Sequence, residues 1–128
     1  LETIPAISVT KARENCTHVY YVLPFQWDAE EAGGLHRDKY IEAVKAELKP
    51  RLGREGEGVP IGCGYIKPLY TMPLFQNGGL EINCPVCEDL SYESLFLTLF
   101  QAPNSTVADM IDVADAFEKV WNHRKELR

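Results

Sequence analysis

The chain has 128 residues, enough for one domain with a real core, and its 45% hydrophobic and 25% charged content is ordinary for a globular protein. A net charge of −6 with no compensating basic stripe argues against a nucleic-acid surface and against an anionic membrane as partner. No apolar run approaches the ~20 residues needed to span a bilayer, and no basic-then-apolar leader is visible, although the chain opens on Leu1 rather than methionine.

Residues 1–15 read as a lead-in segment, with Pro5 and a polar stretch lacking periodicity, and residues 16–128 as the domain. Residues 17–23 are β-branched and aromatic and predict a strand, apolar enough from Val19 onward to be buried on both faces, with Pro24 closing it or lying at its edge. His18, at its start, is expected to be hydrogen-bonded and structural. Residues 26–34 predict a loop ending in Gly33 and Gly34, in which Asp28, Glu30 and Glu31 are solvated rather than paired for acid–base work. Residues 35–48 predict a helix with Tyr40, Ile41, Val44 and Leu48 on one face, stopped by Lys49 and Pro50. Arg37 and Asp38 fall in its first turn and read as solvated.

Gly53, Gly56 and Gly58 lie in a turn that follows a helix, and no helix opens after them, so they make no dinucleotide fingerprint. From Gly58 to Phe75 an apolar, β-branched run passes into a loop pinned by prolines and carrying Tyr65, Lys67 and Tyr70. A short strand delivering a rigid loop to a site is one reading; an edge strand followed by an ordinary connection is the other. A turn at residues 76–79 and a short helix with Pro85 in its first turn follow. Residues 95–100 predict a second apolar strand. Residues 105–128 predict the last helix, capped by Thr106 with Asp109. Its apolar stripe is Val107, Met110, Val113, Ala114, Phe117, Val120 and Trp121. Acids near its amino end and His123, Arg124, Lys125 and Arg128 at the other suit the helix dipole. The alternation predicts a small α/β (α+β) fold, a few strands covered by helices on one side.

The sharpest isolated motif is Cys84-x-x-Cys87. Incidental thiols are the leading reading; a zinc site completed by Cys63 with Cys16 or His18, and a thioredoxin-like redox pair, are the others. Asn15-Cys16-Thr17 and Asn104-Ser105-Thr106 are sequons that would suit a secreted chain, but four cysteines in this length are sparse, and reduced thiols in a cytoplasmic protein are expected. No metal site and no catalytic residue is assigned from the sequence.

Gly58, Val59, Pro60, Tyr65, Lys67, Pro68 and Leu69 fall without a gap on a glycine–isoleucine–proline strand and His-Tyr-x-x-Pro-Leu-His-like loop. On these residues, and on the run from Asp109 to Val120, the chain resembles the carboxy-terminal part of the DegT/DnrJ/EryC1/StrS family of pyridoxal-phosphate-dependent sugar aminotransferases. Two positions depart: Gly64 stands where the family often has histidine, and Tyr70 where it has histidine or tyrosine. The resemblance covers about residues 17–127. It implies the small C-terminal domain of a fold-type I enzyme, preceded by a large domain that binds pyridoxal 5'-phosphate and supplies the Schiff-base lysine. Lys11 does not lie in that lysine motif. The implied reaction moves an amino group, typically from glutamate, to a keto-sugar nucleotide in a homodimer, with this segment inactive alone. The implied substrate-binding residues are Tyr65, Lys67 and Tyr70: the lysine for a nucleotide-sugar phosphate, the tyrosines for hydrogen bonding or stacking. Two alternatives stand beside it, a non-catalytic regulatory relative lacking the lysine and a secreted disulfide-bonded binding domain.

Overall fold

The structure is a computed structural model that describes residues 1–48, 61–64, 67–76, 82–98 and 106–127. Among these residues four strands, β1 (Ile7–Val9), β2 (Leu23–Trp27), β3 (Ile61–Cys63) and β4 (Leu95–Thr98), form one sheet in the order β1-β2-β4-β3. Every pairing is antiparallel, with Phe25 opposite both Val9 and Phe96, and Cys63 also opposite Phe96. The fold is therefore α+β. Its helices are α1 (Arg37–Glu47), α2 (Pro73–Gln76), α3 (Pro85–Asp89) and α4 (Val107–Asn122).

Strand alternation sends Phe25 and Trp27 of β2, and Phe96 and Thr98 of β4, into one buried layer. Helix periodicity sends Tyr40, Ile41 and Val44 of α1, and Val113, Ala116, Phe117 and Val120 of α4, into the same layer. The rings interlock: Phe25 stacks on Phe96 with centroids 5.0 Å apart, Trp27 on Tyr40 at 4.5 Å, and Phe96 on Phe117 at 6.1 Å. The polar tips of these rings are satisfied. The Trp27 indole donates to the Leu35 carbonyl at 2.9 Å and the Tyr40 hydroxyl to the Phe117 carbonyl at 2.7 Å. Burial pushes the Tyr40 phenol well above its ordinary range. The capping box of α4 is formed, with Thr106 Oγ1 accepting from the Asp109 amide and Asp109 from the Thr106 amide. Its apolar stripe is shorter than expected, because Val107 is exposed and the buried face begins at Val113.

Two segments depart from the sequence-based expectation. The strand expected over residues 17–23 instead begins at Leu23 and runs through Pro24. Val19, Tyr20 and Tyr21 are 87%, 57% and 67% exposed, so the run is not buried on both faces. Asn15 and Tyr20 have positive φ, which breaks an extended path, and the His18 ring accepts from the Tyr20 amide and lies against the Tyr20 ring. Pro24 is tolerated in an inner strand because β1 ends at Val9, opposite Phe25. Its missing N–H falls beyond the ladder, and its carbonyl accepts from the Thr10 hydroxyl. The second departure is the lead-in segment, which supplies β1 and puts Ile4, Ala6 and Ile7 into the core. The residues expected to end α1 and to form the glycine-rich turn, 49–60, lie outside the described residues, as do 77–81 and 99–105.

One atom in the core is unmatched. Thr98 is fully buried, and its hydroxyl has no hydrogen-bond partner among the described residues. A buried orphan hydroxyl costs stability, so Thr98→Val, nearly isosteric, should raise the unfolding free energy by about 1 kcal/mol. The expected reading is a higher urea midpoint at unchanged slope; a lower midpoint would mean that the hydroxyl is satisfied.

Candidate functional site

The candidate site is the loop that leaves β3, together with the turn beneath it. That turn is a π-helical segment, Leu90–Ser94, joining α3 to β4. The end of this turn leaves several carbonyls facing α1, and Arg37 collects them. Its Nη1 donates to Leu95 O at 2.7 Å and Leu90 O at 3.3 Å, its Nη2 to Tyr92 O at 3.0 Å and Ser91 O at 3.2 Å, and its Nε to Asp38 Oδ1 at 2.9 Å. Arg37 is 2% exposed, so the solvated first turn expected for α1 is corrected. The cation is buried because the planar guanidinium matches a ring of carbonyls that replaces its water shell. A sequence signal was present: a cation in the first turn opposes the helix dipole and needs another reason to be there.

The turn in its place supports the β3 loop. Gly64, the residue after β3, has φ +63°, and its amide donates to Leu95 O at 2.7 Å. A Cβ at this position would stand 2.7 Å from the Ser91 carbonyl oxygen. Neither the backbone conformation nor the space admits a side chain, so the position calls for glycine.

Of the three residues singled out from the sequence, Tyr65 lies outside the described residues. Lys67 is exposed. Tyr70 lies in the 3₁₀ turn Leu69–Thr71, and its hydroxyl donates to Glu88 Oε1 of α3 at 2.5 Å. That hydrogen bond first, then desolvation and the carboxylate's charge, push the Tyr70 phenol well above its ordinary range. The same loop is braced by Thr71, whose amide and hydroxyl both donate to the Pro68 carbonyl. Glu88 was not among the sequence candidates. Its only local mark is its position one turn into a helix that opens with cysteine and proline.

Around this frame the titratable groups are paired. His36 caps α1 by accepting from the Asp38 amide, and its Nε2 lies 3.2 Å from Glu93. Partial burial alone would raise the Asp38 carboxyl. Hydrogen bonds from Arg37 and the Cys63 thiol, with the Arg37 charge, outweigh it and hold the group below the usual carboxylate range. Cys63 is exposed as a residue, yet its thiol faces Asp38, and desolvation with that hydrogen bond pushes it up to about 11. It is a poor nucleophile. All four cysteines are free thiols, and no group of three or more His, Cys, Asp or Glu converges on a metal position among the described residues. The loop acids act locally, Asp28 accepting from the Glu30 and Glu31 amides. No helix among the described residues is long and apolar enough to cross a membrane. No family model matches this chain, and no curated protein matches it.

Two outcomes test this geometry. Arg37→Lys keeps the charge but cannot reach the ring of carbonyls, and should cost about 3 kcal/mol of stability by chemical denaturation; a loss below ~0.5 kcal/mol, the scale of an ordinary surface change, would dismiss the cage. Glu88→Gln should bring one tyrosine back toward its ordinary value of about 10 in an ultraviolet titration, while Tyr40 stays high. The sign follows from the raised pKa. The Tyr70–Glu88 bond is fully present below the ordinary tyrosine range and is lost as pH rises through the raised folded value. An unchanged titration in the variant would remove Glu88 as the cause.

Proposed function

We propose that this chain is the carboxy-terminal small domain of a pyridoxal-phosphate-dependent sugar aminotransferase of the DegT/DnrJ/EryC1/StrS family. The observation that supports it is the β3 loop. An exposed cation, Lys67, lies between two anchored points, Gly64 on the Leu95 and Ser91 carbonyls and Tyr70 on Glu88. Such a loop offers an ammonium to a nucleotide-sugar diphosphate and keeps a phenol ring in fixed register beside it. Lys67 binds phosphate as a point charge, and Tyr70 contributes a ring face or edge for the sugar nucleotide, with its hydroxyl committed to Glu88. Tyr65 joins them by its place in the motif.

Every described lysine is exposed, and Lys119 is committed to Glu47 at 2.6 Å. The reading assigns cofactor chemistry to a preceding large domain and gives this chain substrate binding alone. Exposed Val19, Tyr20, Tyr21, Leu74 and Val86 are in keeping with a domain that packs against more protein. Glutamate as amino donor, a cytoplasmic homodimer and an inactive isolated segment belong to the same reading.

The test uses the intact gene product. It should show a near-visible absorbance band that borohydride abolishes. Lys67→Ala should raise KM for the nucleotide sugar about tenfold at nearly constant kcat, the pattern of lost ground-state binding. Absence of the band after reconstitution with pyridoxal phosphate would sink the reading, and unchanged kinetics would remove Lys67 from the site.

A further inference from the structure

We propose that Cys84 and Cys87 form a reversible dithiol–disulfide site that exchanges with small-molecule disulfides. Cys84 is the N-cap residue of α3, Pro85 follows at the first helical position, and Cys87 is the third helical residue. The Glu88 amide donates to the Cys84 carbonyl at 3.0 Å, so this turn is closed in helical geometry. In a capping box the N-cap and third-position side chains meet over the first turn; Cys84, with φ −130° and ψ 67°, makes no side-chain cap bond, and its thiol is left uncommitted to the helix amides. In α4 the corresponding pair, Thr106 Oγ1 and Asp109 Oδ2, are 2.8 Å apart. Helical residues three apart have Cα atoms roughly 5 Å from each other, inside the span that a disulfide bridges. Both cysteines are free, Cys87 exposed and Cys84 half-buried, and both line one shallow apolar groove with Val86, Leu90 and Leu95. Pro85 fixes φ between them and lowers the entropy of closing the ring. The proposal does not depend on the aminotransferase reading.

The exchange balances without a further reactant. The Cys87 thiolate, the more exposed sulfur, attacks a small disulfide, forming a mixed disulfide and releasing one small thiol. The Cys84 thiolate then attacks the Cys87 sulfur and releases the second. The protein loses two electrons and two protons, and the small disulfide becomes two thiols. Cys63 does not compete, since desolvation, with the hydrogen bond that ties its thiol to Asp38, pushes it up to about 11. Glu88, the partner of Tyr70, follows Cys87 directly, so the bridge closes the turn that presents it.

The experiment uses the chain carrying Cys16→Ser, which removes the exposed cysteine outside the pair whose thiol is not tied to Asp38, incubated with glutathione disulfide at pH 8 and mapped by peptide mass. The expected peptide containing Cys84 and Cys87 lacks two hydrogens, carries no glutathione and regains both thiols in dithiothreitol. Adding Cys84→Ser, which supplies a favoured N-cap residue and so preserves the helix, should instead trap glutathione on Cys87. Glutathione retained on Cys84 or Cys87 without the second substitution, two unmodified thiols, or a bridge to Cys63 would each overturn the proposal.

Discussion

The buried guanidinium of Arg37 is the constraint on which the rest of the site depends. Leu90, Ser91, Tyr92 and Leu95 each turn a carbonyl toward one side chain on another element, more than fifty residues away in sequence. Each of those carbonyls would be costly to bury alone, and a buried cation would be costlier still. Together they satisfy one another, with Asp38 supplying the countercharge. The π-turn, an uncommon conformation, is tied to α1 from outside as well as by its own hydrogen bond from the Leu95 amide to the Leu90 carbonyl. Gly64 then rests on the same carbonyls, at Leu95 and Ser91. Helix α1, strand β4 and the loop after β3 are thus joined through a single residue.

Where local pattern decides structure, the sequence was legible. The buried face of α1 is Tyr40, Ile41 and Val44, as its periodicity requires, and Thr106 with Asp109 caps α4 as their spacing requires. The helix at Cys84 opens with Pro85 in its first turn, also as expected. Where tertiary geometry decides, local pattern misled. The run Val19, Tyr20, Tyr21 has strand composition, but positive φ at Tyr20 breaks the path and the strand starts later, across a proline. Ile7–Val9 is short, follows Pro5 and Ala6 and runs into the polar stretch from Thr10, and becomes a strand because β2 offers it an edge. The burial of Arg37 depends on where β4 begins, which no window around residue 37 contains.

The site divides along the same line. Lys67 and Tyr70 belong to a contiguous motif and could be named from it. Glu88, which fixes Tyr70, and Arg37, which fixes the turn below Gly64, come from other elements and carry no motif of their own. Gly64 is the instructive case. In the sequence it was noted only as a glycine where the resembled pattern often has histidine. In three dimensions it is a position where a Cβ would strike the Ser91 oxygen, so glycine follows from how closely β3 approaches the π-turn.

That close approach has a consequence for how the loop can act. A loop gains affinity for a charged ligand when its ends are already ordered, because the entropy of fixing them is not subtracted from the contact energy. Here one end is ordered by backbone contact to the π-turn and the other by a charge-assisted phenol–carboxylate bond, while Lys67 between them keeps its ammonium in solvent. The two anchors differ in kind. The first is buried and carried by Arg37, and so lasts as long as the fold does. The second is partly exposed and rests on one short helix whose first turn holds Cys84 and Cys87. Chemistry at α3 can therefore alter this loop through its Glu88 end without unfolding the domain.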